Sequence, residues 1–367
     1  MSQSDYRLES RSAKARQLTL DVPFHPPHPR RYSPRIALIG CGGIAAEHLK
    51  ACRAQGYQVV ALCDTLRDRA EKRRLEFFPK ADAYTDPEAV LSRPDIDVVD
   101  VALHPEPRAR VIQQALRQGK HVLSQKPFVT NLTLGARLVR LARSRGLKLA
   151  VNQNGRWAPY MAWIRQVIQK GLLGQITSIE ISIRWDHSWT AGTPFDNVPH
   201  LLLYDFGIHW FDAIVSWMPG RKARRVMAAV ARCPGQRPRP PLLAHVLIEY
   251  PNALVSLQFQ GACARDPSER IVVIGTQGLI RGEGPVCAVR RLRLETAAGW
   301  CVPRLEGRWF NEGFQGTMGE LLCAIEEDRE PLNGAAENLQ SLALCFAACR
   351  AADTGHPQIP GRVRSLA

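Results

Sequence analysis

Between Arg35 and Val151 short apolar runs and helix-like stretches alternate at a steady interval, and this alternation restricts the chain more than any other feature. IALIG (36–40) leads into IAAEHLKACRAQG, VVALCD (59–64) into LRDRAEKRRLEF, VVDVAL (98–103) into PRARVIQQALRQG and HVLS (121–124) into LTLGARLVRLARSRG, and LKLAV (147–151) closes the series. Strands that are apolar on both sides need cover on both faces, and crossover helices supply it. The segment therefore reads as β-α-β units in a doubly wound parallel sheet of Rossmann type.

After residue 152 the pattern changes. A helix is expected from Pro159 to Lys170, then the alternating strand ITSIEISIRW (176–185), then a loop dense in Trp, His, Asp and Pro, then a helix near Tyr204 to Met218. Alternating runs from 224 to 294, among them LLAHVLIEY, ALVSLQF, RIVVIG and GLIRG, fit a largely antiparallel open sheet. PGQRPRPP (234–241) reads as a loop, and helices are expected over 312–328 and 335–353. At 367 residues the chain exceeds the roughly 250 to 300 that one core sustains. The expected division is a flexible extension over 1–33, a nucleotide-binding domain over 34–151 and a second domain over 152–367.

Bulk properties narrow the class. With 45% hydrophobic and 23% charged residues the composition is that of a soluble globular protein. No apolar run approaches the roughly 20 residues that cross a bilayer, so no membrane partner is expected. The N-terminal segment lacks the apolar core of a secretory signal, and Arg30-Arg31 is not followed by the hydrophobic stretch of an exported protein. Ten dispersed cysteines without a CxxC pair suit small buried side chains in a reducing compartment, so a cytoplasmic location is expected. The net charge of +15 is spread along the chain, and its clusters RKARR (221–225) and RRLRL (290–294) are not interleaved with stacking aromatics. Nucleic-acid binding is therefore not expected, and the milder consequence is attraction of anionic cofactors or substrates.

The first strand runs into Gly40, Gly42 and Ala45 in the order GxGxxA, with Gly43 and Ile44 inside the turn, and a helix opens there. The first glycine permits a tight corner, the second lets main-chain amides approach a pyrophosphate, and the small third residue lets helix and strand pack closely. The helix dipole then faces the phosphates. Asp64, 24 residues after Gly40 and at the end of the second strand, is placed to accept hydrogen bonds from both ribose hydroxyls. A carboxylate there repels a 2′-phosphate and favours NAD; Arg67 and Arg69 nearby leave NADP open.

Two further segments carry chemistry. In GKHVLSQKPFVTN (119–131) Lys126 follows the strand HVLS at its C-terminal end, the side where ligands bind in an open parallel sheet. Pro127 restricts it to extended geometry. In YDFGIHWFD (204–212) Asp205 and His209 stand four apart, on one face of a helix. Oxidation of an alcohol by hydride transfer needs a group to take the hydroxyl proton, which suits histidine, and a cation to steady the developing alkoxide, which suits lysine. Asp205 is placed either to orient the imidazole or to hold a substrate hydroxyl. A metal site built from His187, His200, Asp205 and His209 would leave the glycine turn unexplained, so none is expected.

Taken in order, these segments resemble the Gfo/Idh/MocA family, named for glucose-fructose oxidoreductase, inositol dehydrogenase and MocA. IGCGGIAAEHL resembles its cofactor turn, GKHVLSQKP its GKHVLxEKP segment and YDFGIHWFD its DxGxHxxD helix. GRWAPYMAWIRQVIQKGLLGQITSI, IGTQGLIRG and GHPQIP resemble later landmarks, so the likeness spans about residues 35 to 360. It implies a Rossmann domain, a second α/β domain whose open sheet forms a homodimer or homotetramer interface, and a nicotinamide cofactor beside a sugar or polyol carbon. By position, Lys126 becomes the hydroxyl-polarising lysine, His209 the proton acceptor and Asp205 its partner. His104, Pro105 and Gln125 join the cofactor set. Arg108, Arg156, Trp157 and Trp185 fall on the substrate side, with Trp189 and Trp210 in segments of the same kind. Two departures stand out. Gln125 replaces the family's usual Glu, keeping hydrogen bonding and removing a negative charge, and HPEPR (104–108) places Arg108 where a histidine is common. Arg108 suggests an anionic substrate such as a uronate or sugar phosphate. The sequence therefore implies an NAD(P)-dependent oxidoreductase acting on CH-OH groups, with a non-catalytic NAD- or sugar-sensing regulator of the same fold as the alternative.

Overall fold

The computed structural model describes residues 16–366. Its first sheet contains β1 (Arg35–Ile39), β2 (Gln58–Cys63), β3 (Asp82–Tyr84), β4 (Val98–Val101), β5 (His121–Ser124) and β6 (Leu149–Val151) in the order β3-β2-β1-β4-β5-β6. Every pairing in it is parallel. The crossovers are α1 (Ala45–Ala54), α2 (Arg67–Phe77), α3 (Pro87–Leu91), α4 (Pro105–Arg117) and α5 (Leu132–Ser144). The order reverses between β1 and β4, and both Gly40 and the start of α4 lie at that switch point, where open parallel sheets bind ligands.

The apolar strands are covered on both sides, as their composition requires. Ile36 and Leu38 pack with Ala45, Leu49 and Cys52 of α1, whereas Ala37 and Ile39 share the other core with Ile112, Leu116 and Leu138 of α4 and α5. The short β3 and α3 interrupt the crossover after α2 and were not anticipated from the sequence.

The second half contains α6 (Pro159–Gln169), β7 (Ile176–Arg184), α7 (Ile208–Trp217), β8 (Arg225–Ala231), β9 (Leu243–Tyr250), β10 (Ala253–Gln260), β11 (Ser268–Gly275), β12 (Gly278–Pro285), β13 (Arg291–Thr296), β14 (Gly299–Cys301), α8 (Trp309–Glu326) and α9 (Ala335–Thr354). Its eight-stranded sheet runs β14-β13-β12-β11-β7-β10-β9-β8, antiparallel except for the β7–β10 pair. Ile179, Ile181, Ile183, Val255, Leu257 and Phe259 face inward onto the helices. Their neighbours Glu180, Arg184, Leu254 and Gln258 are exposed on the opposite face. Among the described residues no helix is long and apolar enough to cross a membrane.

Two contacts bear on the organisation. Across the expected boundary at 152, α8 returns to the first sheet, where Met318, Leu321 and Leu322 complete the core around Ile36 and Leu38. The expected flexible extension is also held from Arg16 onward, its residues 1–15 lying outside those described. Leu18 N–H donates to Trp300 O at 2.7 Å and Trp300 N–H to Arg16 O at 2.9 Å. Val22 is buried. The Glu326 carboxylate accepts the amides of Arg30, Arg31 and Tyr32 at 2.8, 2.6 and 2.9 Å. A proline-rich sequence offers few donors of its own for regular structure, so a distant carboxylate fixes it, which composition cannot reveal.

The Arg30 and Arg31 amides hold Glu326 below its ordinary carboxyl value of 4.5. A depressed carboxylate contributes to folding above its unfolded value and loses that contribution as pH falls through the folded one. The protection factors of amides 30–32, measured against the intrinsic exchange rate at each pH, should therefore be high above pH 4.5 and fall below it. Glu326→Gln should remove that pH dependence; unchanged protection in the variant would contradict the strap.

Candidate active site

Gly40 takes φ +101°, and a Cβ on it would come 2.8 Å from Ala102 O, so the end of β4 leaves room only for glycine. Its N–H donates to Cys63 O at 2.8 Å. Gly42 and Gly43 differ, because a Cβ on either would meet nothing within 4 Å: the main chain there borders open space. Ile44 stands at the N-cap of α1 without a capping side chain, and Ala45 is fully buried beneath it. Asp64 closes the corner, accepting Cys41 N–H and Leu66 N–H at 2.9 Å each. An open corner, an uncapped helix start and a carboxylate at the end of β2 fit a dinucleotide, with the amides near Gly42 and Gly43 for the pyrophosphate and Asp64 for the ribose.

Lys126 follows β5 and is joined to Pro127 by a cis peptide bond. Its Nζ donates to Asp205 O at 2.9 Å and lies 3.3 Å from Asp205 Oδ2, across the junction of the two halves. This corrects the expected pairing of Asp205 with His209. The two residues do not stack on one helical face, because Leu202–Phe206 form a π-helical turn and α7 begins only at Ile208. Gly207 N–H donates to Leu202 O, five residues back, at 2.7 Å, and a Cβ at Gly207 would come 2.5 Å from that oxygen. The wider turn carries Asp205 onto the lysine.

His209 is half-buried, and its Nδ1 is sealed from solvent with no hydrogen-bond partner. Burial, and after it the Lys126 ammonium, hold its pKa well below 6.5, so the ring is neutral at pH 7. Trp309, at the start of α8, meets it edge-on at 5.4 Å and donates Nε1–H to Asn154 Oδ1 at 2.8 Å.

Behind Lys126 lies a buried polar chain that the sequence did not disclose. Thr317 Oγ1 donates to Asn152 Oδ1 at 2.8 Å, so Asn152 Nδ2 donates to Gln125 Oε1 at 3.2 Å and faces His48 Nε2 at 3.1 Å. Gln125 Oε1 also accepts Lys126 N–H at 2.7 Å, and His48 Nδ1 sits 2.7 Å from Asp100 Oδ2. The Gln125 carboxamide, expected at the cofactor, therefore fixes the backbone of Lys126. A Glu there would put a second carboxylate into a buried cluster that already holds Asp100. The available signal was His48 itself, a polar residue on the apolar face of α1 with Ala45, Leu49 and Cys52.

The two arginines expected at the substrate lie elsewhere. Arg108 is fully buried, donating Nε–H to Leu103 O at 2.9 Å and its other N–H groups to the carbonyls of Leu103, Pro127 and Lys126. Burial pushes it down to about 9, still a cation at neutral pH, and the carbonyls occupy it. Arg156 is buried against Asp212 at 2.5 and 2.9 Å and Glu337 at 2.5 Å. Trp157 is core, with Gly316 packed on its ring and Arg165 over its face. Trp210 is buried and donates to Glu269 at 2.9 Å. His104 is exposed at the N-cap of α4, followed by Pro105 at its first position. Trp185 and Trp189 lie near Phe206, beside Lys126. Of the residues considered for a metal, His200 pairs with Asp353 at 2.7 Å and His187 stacks on Phe206. No group of three or more His, Cys, Asp or Glu among the described residues is arranged to hold an ion.

Comparison with known proteins agrees with this geometry. Residues 34–153 match the family model described as "Oxidoreductase family, NAD-binding Rossmann fold" of GFO/IDH/MocA, and residues 161–281 match the GFO/IDH/MocA C-terminal domain. A D-apiose dehydrogenase of Paraburkholderia graminis is 27% identical over 87% of this chain and 88% of its own length. A dTDP-3,4-didehydro-2,6-dideoxy-alpha-D-glucose 3-reductase of Actinomadura kijaniata is 37% identical over 40% of this chain and 45% of its own length. An oxidoreductase of Agrobacterium radiobacter, solved with NAD+, L-tartaric acid and magnesium, superposes with TM-score 0.79 over 90% of this chain and 99% of that one, at 22% identity. With both of its domain models matched in order on the two halves of the molecule, the chain belongs to the GFO/IDH/MocA family of NAD-binding oxidoreductases.

Proposed function

We propose that this oxidoreductase transfers a hydride between NAD and a hydroxyl or keto carbon of a sugar, cyclitol or related polyol. The observation that carries the reading is the meeting of Lys126, from the end of β5, with Asp205 and His209, from the turn into α7. The sugar names of the two relatives described above support the substrate class.

When bound at the Gly40 corner, NAD supplies the hydride acceptor. The chain's own residues handle the proton and the charge. His209, neutral because it is buried beside an ammonium, takes the hydroxyl proton at Nε2, the ring nitrogen that is not sealed. Lys126 donates to the same oxygen and steadies its negative charge. Asp205 restrains the lysine, and Gln125 and Arg108 fix the main chain on either side of it. In the reducing direction the same groups return the proton.

We also propose a homodimer or homotetramer formed through the uncovered face of the second sheet. Leu254 is 52% exposed there, and a cavity of about 670 Å³ lies against β7, β10 and β11, away from Lys126. A cytoplasmic location is supported by ten cysteines that are all unpaired.

The tests are kinetic and spectroscopic. Lys126→Met and His209→Asn should each lower kcat/KM for the best polyol by about 10² to 10⁴; parent-like rates in both would sink the assignment. A parent protein that binds NAD and turns over no sugar or polyol would instead be a sensor. Gly40→Ala should abolish calorimetric NAD binding, since both its φ and Ala102 O exclude a methyl group. The imidazole resonances of His209 should titrate below pH 6.5, and Lys126→Met, by removing the neighbouring charge, should move the midpoint upward. A midpoint at or above 6.5 in the parent would contradict a neutral acceptor.

A further inference from the structure

Beyond Lys126 the site continues as a series of rings. Phe206 lies 6.0 Å from Lys126 Nζ, and His187 stacks on it at 3.9 Å. Trp185, Phe195 and Trp189 meet the same ring at 5.9, 6.0 and 6.3 Å. Trp189 also meets Phe195 edge-on at 5.5 Å.

The loop that carries these rings is pinned. His187 N–H donates to Gly261 O at 2.7 Å, and the Thr190 hydroxyl to His187 O at 2.7 Å. Asp196 accepts Gly192 N–H at 3.2 Å and Arg239 N–H at 2.7 Å. Trp189 nevertheless remains 54% exposed. Water at an indole is unfavourable, and an aromatic patch kept open by a fixed loop marks a surface that something covers. An indole suits the C–H face of a sugar ring or another aromatic ring.

Charge narrows what covers it. Arg108 and Arg156 are consumed by carbonyls and buried carboxylates, and Lys126 is paired with Asp205. Burial holds His187 down to about 4, so it adds no positive charge at neutral pH. Asp186, next to that ring, and Asp205 are both carboxylates facing this region. Arg239, the guanidinium beside Phe195, is turned onto Asp196 at 4.0 Å and Asn197 at 3.1 Å. A uronate or a sugar phosphate would therefore meet carboxylates and cations already paired with them. Reach narrows it further. Phe206 is the ring beside Lys126, at 6.0 Å, and Trp189 meets that ring at 6.3 Å on the exposed surface.

We propose that Trp189, with Phe195 and Phe206, forms an outer subsite that stacks a non-reacting second ring, so that the substrate is an uncharged two-ring glycoside. The proposal rests on Lys126 and His209 marking the reacting carbon, and it revises the anionic substrate that Arg108 suggested.

The test uses the full-length protein with NAD or NADH. KM is measured for a methyl glycoside, the matching phenyl glycoside, a disaccharide and the corresponding uronate. Removing a stacking indole costs about ten-fold in affinity. In Trp189→Ala the ratio of KM for the phenyl glycoside or disaccharide to KM for the methyl glycoside should rise about ten-fold, and Trp189→Phe should restore most of it. An unchanged ratio, or a preference of the parent for the uronate over every two-ring compound, overturns the proposal. A separate binding arm compares fluorescence quenching of the parent and Trp189→Phe by the phenyl glycoside with NADH present, a state that requires no turnover. Quenching lost in the variant supports the subsite even if catalysis fails, and equal quenching overturns it even if catalysis succeeds. Iodide should quench the free parent more than Trp189→Phe; equal quenching would mean that another copy of the chain covers the indole, which also overturns the proposal.

Discussion

The contact on which the site depends is the one between Lys126 and Asp205. A lysine after a parallel strand is ordinarily a long, mobile cation, and its value to a reaction depends on being held where charge develops. Here the ammonium is only 16% exposed and lies between the carbonyl and the carboxylate of one residue in the opposite half. That placement goes with a π turn, which swings Asp205 onto Lys126 and leaves His209 with Nδ1 sealed and unpartnered. A regular helix from Tyr204 onward would have paired the acid with the base and left the lysine without an anchor.

What could be read from residues alone follows from periodicity and from steric necessity. The alternation from Arg35 to Val151 located five of the six parallel strands, because apolar strands and amphipathic crossovers leave a strong pattern. Gly40 was legible for a similar reason: the corner tolerates no side chain. Asp205 and the two arginines were misassigned because position along a chain does not tell which carbonyl or carboxylate a side chain will find. Arg108 had the charge and location of a substrate ligand, yet three main-chain carbonyls claim it. Arg156 follows the first domain directly, yet Asp212 and Glu337 enclose it. The short β3 and α3 carried too few residues to show a period.

Buried charge has a structural consequence as well. Replacing one partner of a buried ion pair leaves the other uncompensated and costs about 3 to 5 kcal/mol. Arg156, Asp212, Asn338 and Ser341 form such a cluster, which ties the start of the second half to α7 and α9. His48 and Asp100, 2.7 Å apart, form a second buried polar contact, joining α1 to β4 behind Lys126. Both clusters lie behind the elements that carry Lys126 and His209. They are better understood as fixing the registry of elements that carry the site than as sources of net stability.

Helix α8 shows why that registry matters. Its middle completes the core of the nucleotide-binding sheet through Met318, Leu321 and Leu322, and Thr317 closes the hydrogen-bond chain to Gln125. Its first residue, Trp309, packs against His209. A displacement of α8 would therefore shift the backing of the glycine corner, the amide that orients Lys126 and the wall beside His209 together. A single element that touches all three couples the two halves at the site. Positioning contributes most to rate when the reacting groups are held closely in place, and the return of the chain's C-terminal portion onto its first sheet ties together the elements that carry Lys126, His209 and the glycine corner.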